Sequence, residues 1–340
     1  MNAEIIQNID YLEYGNFIKN NFSSFYHSVN HILFLKDLLK IKPYFIQIKE
    51  KNEIIGLMPF FMKKSKHGIV INSLPFFGSY GGIVNKNDCT KLILNELNNF
   101  NLENDILSSV IIPNPLLQNE SMYEKHYSYN IKDPRLIQCL ELNNKSETEL
   151  WSSFEQRVRR AVRKSQKLNI FVTNPELTDD VIDEFYDMHI TEMHSKGGKI
   201  KPNDFLKKIR KNFTIHRDYE IFCAKNDKKN LSYLLVFYHN NFAEYYMPAY
   251  TSESKNTQST SLLIWNSIKS SLNRGINYFN FGGTWQNQPE LYKFKRGWNA
   301  TDFKYNYYIN CDLQKIKEIG IDEISKRYEF FYIVPFEQLS

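Results

Sequence analysis

Residues 279–298, FNFGGTWQNQPELYKFKRGW, constrain the fold more than any other stretch of the chain. An apolar run of β type, residues 276–281, leads into Gly282-Gly283-Thr284, and an aromatic-basic block, Leu291-Tyr292-Lys293-Phe294-Lys295-Arg296-Gly297-Trp298, follows. Paired glycines at a strand end let the backbone bend sharply and leave main-chain N–H groups open to a ligand. Lys295 and Arg296 beside Phe294 and Trp298 offer charge and a stacking wall to an anionic, planar group. The same residues also suit a plain Gly-Gly turn with a snorkelling Lys-Arg edge.

At 340 residues the chain has room for two domains, each with its own core. A hydrophobic fraction of 42% and an aromatic fraction of 15% exclude a disordered chain. The net charge of +5 is modest, so any contact with a polyanion depends on local clustering. Cys89, Cys139, Cys223 and Cys311 show no short pairing, which argues for a reduced, cytoplasmic protein without a thiol-bound metal. The start lacks a basic and then apolar leader, and the apolar run 54–62 is short and broken by Pro59, so neither signal peptide nor membrane span is expected. The aromatic tail, residues 328–336, has a composition that allows peripheral membrane contact; a closing strand is the expected use. His27 and His31 lie four apart with no third ligand nearby, which suits core or surface histidines and no metal.

Apolar periodicity predicts a helix over residues 22–40, strands at 44–48, 53–61 and 70–74, a helix at 89–100, and strands at 106–112 and 136–142. After the polar break 143–146, Ser146-Glu147-Thr148-Glu149 offers capping chemistry for a further helix. Helices are expected at 179–195, 204–211 and 260–274, with strands at 219–224, 231–239, 242–248, 278–281 and 303–308. The class is α+β, with mixed sheets and flanking helices. Leu150, Trp151, Phe154, Val158, Ala161, Val162 and Leu168 gather on one arc of a helix whose other arc carries Arg157, Arg159, Arg160, Arg163, Lys164 and Lys167. Six cations with only Glu155 near them suit a solvated face or one that meets RNA or a pyrophosphate.

The order strand, Phe-Gly-Gly-Thr, spacer, Leu-Tyr-x-Phe-Lys-Arg-Gly-Trp resembles the C-terminal signature of the Fem-type (FemAB) transferases, which are tandem acetyltransferase-like (GNAT-fold) proteins. Residues 73–82 resemble the N-lobe loop of the broader family, residues 150–168 its basic connecting helix, and residues 257–284 the helix and strand before the signature. The likeness spans residues 25–308. It implies two GNAT-like lobes, residues 1–145 completed by 312–340 and residues 146–311. It also implies acyl transfer from a co-substrate, with no tightly bound cofactor: an aminoacyl group from charged tRNA, or an acyl group from acyl-CoA. The acceptor would be an amine of a sugar-nucleotide or lipid-linked cell-envelope precursor, or of a surface-glycan sugar.

Carried over residue by residue, Phe294 and Lys295 match the family's aromatic-lysine pair, whose ammonium steadies the oxyanion of acyl transfer. Lys201, before Pro202 in a loop that Gly197-Gly198 would make mobile, matches a diphosphate-holding residue that is an arginine in the family; Lys36 falls where a second phosphate-binding lysine would lie. Gly282, Gly283, Arg296 and Trp298 would complete the substrate contacts, and Arg157, Arg160, Lys164 and Lys167 the nucleic-acid or phosphate contacts. Where the family has a suggested carboxylate base, this chain has Asn114, which cannot take a proton; Glu244, Tyr246 and His239 remain, or a substrate that assists itself. The stretch 251–260 has no glycine and suits a pyrophosphate poorly, which disfavours acyl-CoA. A CoA-dependent amino-sugar N-acetyltransferase and a non-catalytic binding protein stay open as alternatives.

Overall fold

The computed structural model describes residues 2–76, 80–86, 88–285 and 287–339. In chain order its elements are β1 (Ala3–Ile6), α1 (Tyr11–Asn20), α2 (Val29–Leu39), β2 (Pro43–Glu50), β3 (Glu53–Ser65), β4 (Gly68–Asn72), β5 (Val84–Asn85), α3 (Thr90–Glu103), β6 (Ile106–Ile111), α4 (Glu120–His126) and β7 (Ile131–Glu141). There follow α5 (Glu147–Ser153), α6 (Gln156–Lys167), β8 (Phe171–Thr173), α7 (Asp179–Lys196), α8 (Phe205–Asn212), β9 (Tyr219–Lys225), β10 (Asn230–His239) and β11 (Phe242–Tyr250). The last are α9 (Ser254–Thr257), α10 (Ser259–Asn273), β12 (Tyr278–Thr284), α11 (Pro289–Arg296), β13 (Thr301–Cys311), α12 (Leu313–Ile319) and α13 (Ile321–Arg327). Mixed α+β architecture is therefore observed. Contacts divide the chain into two units, residues 1–136 with 303–340, and residues 137–302.

In the first unit the strand order is β1-β2-β3-β4-β6-β13. Strands β4 and β6 run parallel, and β13 closes antiparallel on β6 with Tyr308 opposite Ile111. Alternate residues of β2 to β4 point Ile46, Ile48, Phe60 and Ile71 at Ile93 and Leu97 of α3, the apolar stripe of an otherwise polar helix. In the second unit the order is β7-β12-β11-β10-β9-β8, with β12 parallel to β11. Val158 and Val162 of α6 and Leu263 and Trp265 of α10 cover one face of this sheet, packed with Phe279 and Phe281 of β12. Ser146 caps α5 as expected: its hydroxyl accepts the Glu149 N–H at 3.2 Å, and the Glu149 carboxylate accepts the Ser146 N–H at 2.7 Å.

Several expectations are corrected. The basic helix is not one rod: α5 stops at Ser153 and α6 begins at Gln156, with Phe154 dropped into the core between them. Leu168 lies past the end of α6 and is 48% exposed, off the apolar arc. The helix expected over 22–40 opens with a 3-10 turn at Phe25–His27 and becomes α-helical only at Val29, because Ser28 caps there by accepting the His31 N–H. The block 291–298 is largely helix α11, and the strand before it runs on through both glycines to Thr284. Of the loop 73–82, Phe77, Gly78 and Ser79 lie outside the described residues; Gly82 packs so closely that a Cβ there would meet Pro113 Cα at 2.8 Å.

The tail is not a strand. Residues 328–334 are held by side chains of their own unit: Asn72 donates to the Tyr332 carbonyl and accepts the Tyr332 N–H, both at 2.7 Å. Ser108 donates to the Ile333 carbonyl at 2.6 Å, and the Tyr332 hydroxyl donates to Asp133 at 2.5 Å. Arg135, ion-paired with Asp133, lies over the rings of Tyr307 and Tyr332. Side-chain amides thus do for this segment what a neighbouring strand would otherwise do. Asn72 is buried, so Asn72→Ala strands two main-chain groups of Tyr332; it is expected to cost about 2–4 kcal/mol in urea unfolding, whereas Lys36→Ala on the exposed face of α2 changes stability by less than about 0.5 kcal/mol.

Candidate active site

The second unit has a fork in its sheet. The ladder between β11 and β12 consists of Phe242–Tyr278, Ala243–Phe279 and Glu244–Asn280, and past that last pair β11 continues to Tyr250 and β12 to Thr284 without pairing to each other. On the other edge of β11, Val236 faces Tyr245 while Leu235 faces Met247, so Tyr246 is the extra residue of a β-bulge. Main-chain groups along the open arms have no ladder partner on the facing arm, which makes the fork a slot for an extended ligand.

A buried polar chain begins at the crotch of the fork. Glu244 is 3% exposed and receives one hydrogen bond among the described residues, from Asn280 Nδ2 to Oε2 at 2.8 Å. Burial pushes its pKa up to about 8, with Asn280 opposing the shift. Asn280 Oδ1 accepts the Gly282 N–H at 2.8 Å, and Gly282 sits at φ +74°, where a side chain would be strained. Beneath this turn the Lys295 ammonium donates to the carbonyls of Gly282 (3.0 Å) and Gly283 (2.7 Å) and to Thr284 Oγ1 (3.0 Å). Thr284 donates in turn to Gln138 Oε1 at 3.1 Å, and Gln138 reaches Asp302 at 3.3 Å. Burial pulls the Lys295 pKa down to about 7. Cys139 is buried close enough to Glu244 and Lys295 to feel both charges.

These contacts revise the roles expected for the signature residues. Lys295 has three donors, and all three end on the Gly282–Thr284 turn, so in this state it braces β12 and points no hydrogen at a ligand. Trp298 is fully buried among Phe154 and Phe281 and is core, not a stacking wall. Phe294 packs against the same core from a half-buried position, and Arg296 is exposed, donating to the Ala300 carbonyl at 2.7 Å. Arg157 is committed to Glu155 and to the Lys293 carbonyl, tying α6 to α11; Gly297 leaves the room, since a Cβ there would meet Arg157 at 3.0 Å. Arg160, Lys164 and Lys167 are exposed along α6, where Arg163 lies over Trp151. Asn114 is buried in the first unit and accepts the Leu116 N–H at 3.1 Å.

Tyr246 turns from the bulge toward α8, its ring stacked on Phe205 at 6.1 Å and edge-on to Phe237. Lys201 places its ammonium 5.3 Å from the ring centres of both Phe205 and Tyr246, and burial lowers its pKa to about 8. His239 stands at the end of β10, opposite Phe242 in the hairpin. At the N-terminus of α10, Ser259 shares its hydroxyl with Ser254 (2.6 Å) and Ser232 (3.0 Å), and Ser254 also meets Thr260 at 2.9 Å. These side chains are largely buried, and α9 precedes them directly. Sequence reasoning missed Asn280, Gln138 and Cys139; the alternation of β12 and β7, which puts a polar residue among apolar neighbours, was the available signal.

Comparison with known proteins agrees with this architecture. The family model described as acetyltransferase (GNAT) domain matches residues 152–296, which contain the fork and the polar chain from Glu244 through Asn280 to Lys295. Residues 152–296 thus match an acetyltransferase (GNAT) domain, and the protein is an acyltransferase. Among solved structures it is similar to FemX at 16% identity and TM-score 0.67, covering 90% of this chain and 97% of FemX. It is also similar to L-PGS from Bacillus licheniformis (12% identity, TM-score 0.56, 94% and 96% covered). A tandem GNAT protein from the clavulanic acid biosynthesis pathway gives 8% identity and TM-score 0.55, with 90% and 97% covered. These likenesses establish the tandem GNAT-like fold. No curated protein matches by sequence.

The brace predicts a measurable stability change. Lys295→Met takes the donor from the buried Thr284 hydroxyl and from the part-buried Gly282 carbonyl, while the exposed Gly283 carbonyl can turn to water, and is expected to cost about 1–3 kcal/mol in urea unfolding. The amine's pKa falls from 10.5 to about 7 on folding, so between those values the folded protein holds fewer protons than the unfolded chain. Its contribution to stability therefore rises with pH across that window, and the Met variant should lack this slope.

Proposed function

We propose that the protein moves an aminoacyl group from a charged tRNA onto a primary amine of a cell-envelope precursor or surface-glycan sugar. The observation that carries the chemistry is Glu244 at the crotch of the fork, one carboxylate oxygen held by Asn280 and the other without a hydrogen-bond partner among the described residues. The donor ester lies in the fork. The acceptor amine attacks its carbonyl, forming the C–N bond; Glu244 takes the ammonium proton and returns it to the departing ribose oxygen as the ester C–O bond breaks. Lys295 and Asn280 keep the Gly282–Thr284 arm in place, and the first open main-chain groups after the bulge steady the oxyanion. Lys201 contacts an anionic group of the acceptor.

Support for tRNA as donor comes from two places. The hydroxyls of Ser232, Ser254, Ser259 and Thr260 fill the start of α10, where a pyrophosphate would need open N–H groups. Arg160, Lys164 and Lys167 present an exposed cationic face on α6 for phosphates. The match of residues 152–296 to an acetyltransferase domain favours acetyl-CoA as the second reading, and one panel separates the two. Single-turnover assays with a mixed aminoacyl-tRNA pool and with acetyl-CoA, each over a set of amino sugars and muropeptide precursors, should give product with the tRNA pool only. Product with acetyl-CoA alone would overturn the donor assignment. Binding of charged tRNA should weaken steeply with salt, and Arg160→Ala with Lys164→Ala should lower that slope by about two.

Glu244 sets the pH dependence. With a pKa of about 8 it is mostly protonated at neutral pH, so the rate of the chemical step should climb about tenfold per pH unit and level off near pH 8. Glu244→Gln should remove that limb and lower kcat by about 10²- to 10⁴-fold. A variant with an unchanged pH profile would rule Glu244 out as the base.

A further inference from the structure

The segment between α7 and α8 runs back along the helix it has just left. Gly197 ends α7 at φ +61°, a left-handed conformation that suits glycine, and the Gly198 N–H donates to the Met193 carbonyl at 2.9 Å. A Cβ on Gly198 would lie 2.9 Å from Met193 Sδ, so the turn packs flat against the helix end. Farther back on α7, the Tyr186 hydroxyl donates to the Lys201 carbonyl at 2.8 Å, and His189 Nε2 accepts the Lys201 N–H at 3.2 Å. Tyr186 and His189 are three residues apart and share one helix face. Both main-chain poles of Lys201 are therefore gripped from one surface, and the loop is pinned where its glycines had suggested mobility.

The grip needs a neutral imidazole with its proton on Nδ1. Burial, with the Lys201 charge adding to it, keeps the His189 pKa down at about 4, so the acceptor nitrogen stays available at neutral pH. His189 is 3% exposed, and its Nδ1 has no hydrogen-bond partner among the described residues. A histidine this buried, with one nitrogen spent on a loop and the other unmatched, is poorly explained by packing alone. Lys201, once gripped, holds its ammonium at equal distance from Phe205 and Tyr246.

We propose that Tyr186 and His189 are positioning residues that hold Lys201 in place before ligand arrives, so that an anionic group of the acceptor meets an ordered ammonium on an aromatic seat. The ligand part rests on the assignment of Lys201 to the acceptor; the clasp does not. An ordered loop spares the binding step the entropy of fixing it.

The test compares wild type, His189→Ala, His189→Gln, Tyr186→Phe and Lys201→Met. Two readouts need no substrate: amide hydrogen exchange at Lys201, and the ¹³C-methyl resonance of Lys201 after reductive dimethylation, which the two rings should move upfield. His189→Ala should speed exchange at Lys201 at least about tenfold and return the methyl signal toward the free-lysine position, and His189→Gln, which keeps an acceptor, should restore both. Tyr186→Phe should move the methyl signal in the same direction and remains informative if His189→Ala fails to fold. Inorganic pyrophosphate serves as the anion probe, its Kd rising about fivefold in His189→Ala and Tyr186→Phe, the loss of one hydrogen bond's worth of order. Lys201→Met should abolish that dependence. Unchanged exchange and methyl shifts in both His189→Ala and Tyr186→Phe would overturn the clasp. Equal pyrophosphate affinity in wild type and Lys201→Met, with the clasp readouts behaving as stated, would overturn the anion contact alone.

Discussion

The second unit turns on one buried amine. A lysine with almost no exposure and three oxygen acceptors is costly to bury, and the structure tolerates it because each hydrogen finds a partner. Two of those partners are carbonyls of consecutive glycines, groups that in a regular strand would point to opposite edges. By drawing both to one side, Lys295 sets the course of β12 beyond its last pair with β11 and so sets the opening of the fork. Asn280 works from the other side of the same turn, tying Gly282 to Glu244. Glu244 and the Lys295 brace are thus ends of a single connected network, so a change at one is felt at the other.

That network reinterprets the motif that resembled the Fem-type signature. The run of charged and aromatic residues reads on paper as a ligand cradle, yet α11 and the turn after it send Lys295 and Trp298 inward and leave Lys293 and Arg296 outside. What the ligand would meet is the strand arm they support. Two places where the sequence departs from that resemblance carry local structure: Asn114 accepts the Leu116 N–H in a turn, and the hydroxyls of Ser254 and Ser259 meet at the start of α10.

Most strands were legible because their apolar residues alternate or run unbroken between polar turns, as in β2, β3, β9 and β10. Long amphipathic helices such as α3, α7 and α10 were legible for the same reason. Short elements were not. Helix α1 depends on the Asp10 cap and α4 on packing that no local pattern announces. Helix α11 was given no secondary structure, only its aromatic-basic composition, although Pro289 in its first turn was an available start signal. In the site, Glu244 and Tyr246 stood out as polar residues on an apolar strand. Tyr186 and His189 did not, because their partner is brought beside them only when the chain doubles back, and no spacing rule encodes that reversal. The inward turn of Trp298 was equally hidden: it depends on Gly297 allowing α11 to close on α6.

The first unit is built from both ends of the chain, residues 1–136 and 303–340, with the second unit's residues threaded between. On the ribosome, β6 emerges nearly 200 residues ahead of its partner β13, so for most of synthesis it has a bare hydrogen-bonding edge. Asn72 and Ser108 wait longer still for the tail they hold, which lies 260 and 225 residues further on. Residues 137–302 can collapse as soon as they are free of the exit tunnel, while the amino-terminal segment is completed last. A stop codon anywhere between residue 302 and the tail would therefore release a chain whose second unit is complete and whose first is a sticky, unfinished sheet, and quality control would recognise such a chain by its beginning and not by its missing end.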